Sequence, residues 1–236
     1  MQLYIANKLY SSWSLRPWLL MTALGIPFEE TVVPLYFPDS KARILDISPA
    51  GKLPCLIDGD VKVWESLAIV EYLAERFPDK AVWPSGGAAR AHARAVSSEM
   101  HAGYQALRAA CPMNLGKTFH PRDLGSDVDD NVRRFQGLVS DCRRRFGAGG
   151  DFLYGEFSAA DAMYAPLATR LDTYQFELAP QTRAYVNAIL EHPAFRKWKS
   201  EALTEPWGIT HYEEGWTPVE TFHTPSILTG HARAGA

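Results

Sequence analysis

Glu65 and Ser66 stand directly before the apolar run Leu67-Ala68-Ile69-Val70, with Leu73 following at helical spacing. A serine in that place is a natural N-cap. The start of a helix, with its free N–H groups and its dipole, also binds carboxylates. Upstream, the polar loop Asn7-Lys8-Leu9-Tyr10-Ser11-Ser12 and the nearby Ser14 bring together the hydroxyls of one tyrosine and three serines. Capping of the helix that follows is a sufficient structural use for Ser11 and Ser12. Leu53-Pro54 opens another apolar stretch, where an edge strand tolerates a proline. Other chemistries are missing from the sequence. It has no G-x-G-x-x-G after a strand, no Walker loop, no HExxH and no GxSxG. Gly147 to Gly150 follows a helical run and reads as a turn. His101 and His120 lack partners at metal-ligand spacing, so no metal site is expected. The cysteines Cys55, Cys111 and Cys142 form no CxxC pair. That argues against a zinc site and against a secreted disulfide framework.

The elements that must hold these residues read in the order strand, helix, strand, helix, hairpin, helix. Leu3 and Ile5 alternate with polar neighbours as in a short strand. Trp18, Leu19 and Leu24 mark a helix that stops at Gly25, and Pro17 is tolerated if it falls in the first turn. Phe28 to Val33 reads as a second strand and Asp39 to Leu45 as a short helix. Pro54–Ile57 and Val61–Trp64 are joined by Asp58-Gly59-Asp60, a hairpin signal. The helix from Ser66 ends at Pro78, and residues 79–87 resemble a linker.

Beyond the linker the periodicity is helical. Val96, Met100, Tyr104 and Leu107 share one face. Val128, Val132, Phe135, Val139, Cys142 and Phe146 form a long stripe stopped by Gly147. More helix follows from Ala159, with Pro193 at its end. The expected organisation is an α/β domain over 1–80 and an all-α domain over 88–203. A surface tail over 204–236 completes it, extended and frayed from Thr229.

The 236 residues suit two ordinary domains or one large one, and 47% hydrophobic with 22% charged residues is a globular composition. Lys plus Arg is 24 against 27 for Asp plus Glu. No basic excess marks a nucleic-acid binder. No apolar run approaches the roughly 18 residues of a membrane span. Met1-Gln2-Leu3-Tyr4 does not resemble the start of a signal peptide. A soluble, cytoplasmic protein with no nucleic-acid or membrane partner is the expectation.

Residues 48–56, Ser-Pro-Ala-Gly-Lys-Leu-Pro-Cys-Leu, and 64–73, Trp-Glu-Ser-Leu-Ala-Ile-Val-Glu-Tyr-Leu, resemble the glutathione-binding half of a cytosolic glutathione transferase. The resemblance spans about residues 1–200. It implies a thioredoxin-like N-terminal domain followed by a C-terminal helical bundle, with glutathione as the cofactor. It further implies that Leu53-Pro54 is cis and that the Leu53 backbone, next to Lys52, holds the cysteinyl part of glutathione. Ser66 would hold the γ-glutamyl carboxylate and Glu65 the ammonium group. Phe157-Ser158-Ala159-Ala160-Asp161 resembles the family's capping box and staple. A homodimer is implied as well.

The chemistry implied is ionisation of the glutathione thiol for attack on a small hydrophobic electrophile. A free thiol ionises near roughly pH 8.5, and only the thiolate is a good nucleophile. A hydroxyl donated to the sulfur, aided by a helix N-terminus, favours the anion. In the family's serine-type classes the active serine lies fourteen residues before the glycine ending the first helix, which here gives Ser11. Ser12 is the neighbouring candidate, and Tyr10 and Ser14 are weaker ones. Ser11-Ser12-Trp13-Ser14-Leu15-Arg16 is similar to the zeta class, with Trp13 where that class has a cysteine. Glutathione-dependent cis-trans isomerisation of the maleylacetoacetate type is therefore the alternative activity, and a non-enzymatic binding module a further one. The electrophile is expected near Trp13, Met100, His101, Tyr104, Met113, Asn114 and Trp207.

Overall fold

The computed structural model describes residues 1–230. The first half runs β1 (Gln2–Ile5), α1 (Ser12–Ala23), β2 (Glu29–Val32), α2 (Ser40–Ile47), β3 (Cys55–Asp58), β4 (Val61–Trp64) and α3 (Ser66–Arg76). Its sheet has the order β2-β1-β3-β4, with β1 and β2 parallel and the other pairs antiparallel. This is a thioredoxin-like domain. Leu3, Ile5 and Leu56 are fully buried, while β2 and β4 at the sheet edges are largely open.

The second half is helical: α4 (Gly87–Ala102), α5 (Gln105–Ala110), a short β5 (Lys117–Phe119), α6 (Ser126–Phe146), α7 (Ala159–Thr173), α8 (Pro180–Glu191) and α9 (Pro193–Ala202). The stripe Val128, Val132, Phe135, Val139 and Cys142 is buried along α6, as its spacing predicts. Ser14 to Met21 of α1 and almost all of α7 are buried, and the two helices pack on each other. A helix packed on both sides has no polar face to show. That contact joins the thioredoxin-like domain to the helical one.

Local chemistry sets the ends of the elements. At the end of α1, Gly25 takes φ of 61°, the Gly25 N–H bonds the Thr22 carbonyl at 3.3 Å and the Ile26 N–H bonds the Met21 carbonyl at 2.9 Å. This is a Schellman motif, which glycine accommodates without a Cβ clash. Pro17 falls in the second turn of α1, not the first, so the Trp13 carbonyl lacks its usual helical donor. The stripe from Val96 to Leu107 is not one helix. It breaks at Gly103, where a Cβ would lie 2.7 Å from the Glu99 carbonyl oxygen, and Tyr104 takes φ of 58°. Pro193 opens α9 in place of ending the helical region, since a proline at the first helical position loses no bond.

The segment after α9 is more structured than its sequence suggests. β6 (Trp207–Ile209) pairs with β8 (Ile227–Thr229), and β7 (Pro218–Thr221) pairs with β5. β6 and β8 have three residues each and β7 buries no face, so neither sheet leaves an apolar alternation to read. Thr229, expected to fray, is buried in β8, and residues 231–236 of the expected frayed end lie outside the described residues.

Candidate active site

The turn from β4 into α3 is made by Glu65, whose φ of 70° and ψ of 126° are unusual for a residue with a side chain. Such backbone geometry costs about 1–3 kcal/mol and gathers at functional sites. Glu65 occupies the N-cap position without a side-chain cap bond, and Ser66, expected as the cap, is the first residue of the helix. The chain reverses one residue earlier than the serine's propensity suggests. Ser66 is thereby buried, and its Oγ has no hydrogen-bond partner among the described residues. An unpaired buried hydroxyl costs about 1–3 kcal/mol. A carboxylate at the start of α3 would pair it and meet the free N–H groups beside it. The residues thus fit the γ-glutamyl end of glutathione.

The Leu53–Pro54 peptide is cis. Trp13, Lys52, Leu53, Pro54, Glu65 and Ser66 line one cavity of about 330 Å³, completed by Trp64, His101, Gln105 and Arg108. His101 of α4 holds Nε2 3.8 Å from Oε2 of Glu65. Burial, then the charge of Arg16, pushes the His101 pKa down, with Glu65 pulling the other way.

Met100, Tyr104, Met113 and Asn114 are buried and do not line this cavity. Tyr104 bonds Glu99 at 3.4 Å and packs its ring on Tyr164. Asn114 gives its amide to Glu213 at 2.8 Å and accepts the Gly116 N–H at 2.8 Å. A helical stripe looks the same in sequence whether it faces core or ligand. Trp207 is half-buried in β6 and is not part of the wall.

Ser11 is the N-cap of α1, accepting the Ser14 N–H at 3.3 Å, and Ser12 is the first helical residue. Neither lines the cavity wall that begins at Trp13. The Ser11 hydroxyl donates to Ser14 Oγ at 2.8 Å, and Ser14 Oγ also accepts the Ala6 N–H at 3.0 Å. Ser14 is fully buried. Tyr10 lines a second cavity of about 380 Å³ and donates its hydroxyl to Glu213 at 3.2 Å. Burial and the charge of Glu213 push its phenol pKa well up, so it does not ionise near neutrality. Half-buried Ser11 therefore sits on the chain between two cavities, at the positive end of α1.

A cluster of cations beside Trp13 was not legible in the sequence. Arg16 is buried, and its Nε and Nη1 have no hydrogen-bond partner among the described residues. Its guanidinium lies over the Trp13 ring at 3.9 Å, and that of Arg108 over the same ring at 4.6 Å. Burial, then the charges of Arg170 and Arg108, hold the Arg16 pKa well below the usual arginine range. The one available signal was a cation inside the apolar run from Leu15 to Met21.

A thioredoxin-like domain joined to a helical domain, with an unpaired buried serine at a helix start beside a cis-proline loop, is the architecture of a glutathione-binding transferase. Residues 10–76 match the N-terminal domain, and residues 126–198 the C-terminal domain, of glutathione S-transferase. The chain belongs to the glutathione S-transferase family. A probable maleylacetoacetate isomerase of Caenorhabditis elegans is 28% identical over 199 residues, covering 79% of this chain and 90% of that protein. Among solved structures, a bacterial zeta-class maleyl pyruvate isomerase superposes with a TM-score of 0.66 at 22% identity, covering 86% of this chain and 99% of that one. A glutathione transferase homologue from Burkholderia with bound glutathione gives 0.62 at 20% identity, over 85% and 96%. These two likenesses are of fold. The protein is a glutathione transferase, and glutathione is its cosubstrate.

Proposed function

We propose that the enzyme ionises the glutathione thiol with the hydroxyl of Ser11 for reaction with a small electrophile entering beside Trp13. The reading rests on one observation above others, the buried, unpartnered Ser66 hydroxyl at the start of α3 in the same cavity as Glu65 and Leu53. Ser66 and the first N–H groups of α3 receive the γ-glutamyl carboxylate. The Glu65 carboxylate faces the ammonium group. The Leu53 main chain, with Lys52 and Pro54 beside it, holds the cysteinyl portion. Glutathione supplies the nucleophilic sulfur. Ser11 turns its hydroxyl from Ser14 Oγ to the sulfur and so supplies the hydrogen bond that favours the anion, at the end of α1 where the dipole does the same. Ser12 is the neighbouring donor. Tyr10 lines the other cavity, away from Leu53 and Ser66, and donates to Glu213.

The alternative activity, cis-trans isomerisation of the maleylacetoacetate type, draws support from Arg16 and Arg108 over the Trp13 ring. No ion pair links either arginine to a carboxylate among the described residues. Arg108, which lines the cavity without a counter-ion, favours an anionic second substrate. We further infer a cytoplasmic homodimer, the usual state of the family this chain resembles. The test is calorimetric titration with glutathione, followed by turnover assays with an aryl halide and with maleylacetoacetate. Binding at low millimolar or tighter with conjugation supports the main reading. Isomerisation without conjugation moves the assignment to the alternative. Failure to bind glutathione overturns both.

A further inference from the structure

Glu205 lies just beyond α9, far in sequence from the loop between β1 and α1, and it is only 7% exposed. Its Oε1 accepts the Lys8 N–H at 2.7 Å and its Oε2 accepts the Leu9 N–H at 3.1 Å. The same loop gives its Lys8 carbonyl to Trp198 Nε1 at 3.0 Å and its Leu9 carbonyl to the Leu115 N–H at 3.2 Å. Three residues of the second half of the chain thus hold consecutive main-chain groups of the loop that ends at Ser11. Within the loop, the Asn7 carbonyl takes the N–H groups of Tyr10 at 3.2 Å and Ser11 at 2.8 Å. The position of Ser11 therefore follows from where Lys8 and Leu9 are pinned. Glu205 is itself braced, since its carbonyl oxygen bonds Nε2 of His223 at 2.7 Å.

We infer that Glu205 is a positioning residue for the thiol-activating loop, acting across the domain boundary through the N–H groups of Lys8 and Leu9. The inference rests on the reading of Ser11 given above. A carboxylate is suited to the task because it offers an acceptor to each of two adjacent N–H groups. An amide offers one oxygen, and its NH₂ would face the second N–H. A buried carboxylate held only for packing would be costly, and burial indeed pushes the Glu205 pKa up to about 7, against the N–H groups of Lys8 and Leu9 and the charge of Lys8.

The experiment is the ultraviolet titration of the thiolate in the glutathione complex of the full-length protein, for wild type, Ser11→Ala, Glu205→Gln and the double variant. Glu205→Gln is expected to raise the apparent thiol pKa by about half a unit, roughly a threefold loss of thiolate at lower pH. Glutathione affinity should stay within about twofold, and kcat should fall in step with the thiolate. The double variant should titrate like Ser11→Ala alone, because both changes act on one hydrogen bond. A folded Glu205→Gln that titrates like wild type while Ser11→Ala is shifted overturns the role of Glu205 and leaves Ser11 standing. A shift in Glu205→Gln with none in Ser11→Ala keeps Glu205 and removes Ser11 in favour of another donor on the loop. If Glu205→Gln does not fold, Glu205→Asp is read by the same titration. It retains two acceptors on a shorter arm, so a smaller shift in the same direction supports the role and a wild-type titration overturns it.

Discussion

At the residue scale, the account turns on which side chains have partners and which lack them. Tyr10 donates to Glu213, Ser11 donates to Ser14, and Ser14 accepts the Ala6 N–H as well. Ser66 Oγ has no partner among the described residues. If Ser66 meets the ligand carboxylate, Ser66→Ala removes one charge-assisted bond. Such bonds contribute about 1.5–3 kcal/mol, so affinity should drop by about tenfold or more, while thermal stability holds or rises slightly because a buried unpaired hydroxyl is gone. Glu65→Ala should also weaken binding. Calorimetry decides, and wild-type affinity in both variants would remove the γ-glutamyl assignment. Glu65-Ser66 and Leu53-Pro54 were legible in the sequence because a short motif carried them. Arg16, Arg108 and Gln105 were not. Arg16 and Arg108 meet over the Trp13 ring, and Gln105 joins the cavity wall, only through tertiary packing, which no local spacing encodes.

At the element scale, the start of α7 is fixed by several hydrogen bonds to one buried carboxylate. Ser158 and Asp161 form a capping box in which the Ser158 N–H donates to Asp161 Oδ2 at 2.9 Å. Asp161 also accepts the Leu153 N–H at 3.0 Å and the Tyr185 hydroxyl at 3.2 Å. Phe157 packs on Phe152 and His192. Asp161→Ala removes the box, costing about 0.5–2 kcal/mol, and strands buried donors at about 1–3 kcal/mol each. Melting should fall by several degrees or more with glutathione affinity unchanged, and an unaltered melt would show that the box contributes nothing. Burial pushes the Asp161 pKa up to about 6, against the pull of its donors. The folded state then holds this proton more tightly than the unfolded chain does. Its contribution to stability is fully present below about pH 4 and is lost as pH rises through about 6. Asp161→Asn should flatten that part of the stability–pH curve. The box was readable from Ser158 and Asp161 three residues apart. The break at Gly103 was hidden because Val96, Met100, Tyr104 and Leu107 stay buried on both sides of it.

At the scale of the whole molecule, the two halves are coupled by α1 against α7 and by Glu205 on the loop before Ser11. The two-domain order was legible from alternating and then helical periodicity. The small sheets after α9 were not, because β6 and β8 have three residues each and β7 opens on a proline and is exposed throughout. A homodimer should give a mass about twice that of one chain in light scattering at micromolar concentration, and the mass of a single chain would contradict it. The central claim is that this enzyme binds glutathione and lowers the pKa of its thiol through Ser11. It is tested most directly by the thiolate absorbance of bound glutathione against pH in wild type and Ser11→Ala. The account predicts a midpoint in the wild-type complex at least about one unit below the roughly 8.5 of a free thiol, with Ser11→Ala returning toward that value at nearly unchanged affinity. A wild-type midpoint at the free value, or the same depressed midpoint in Ser11→Ala, would contradict it.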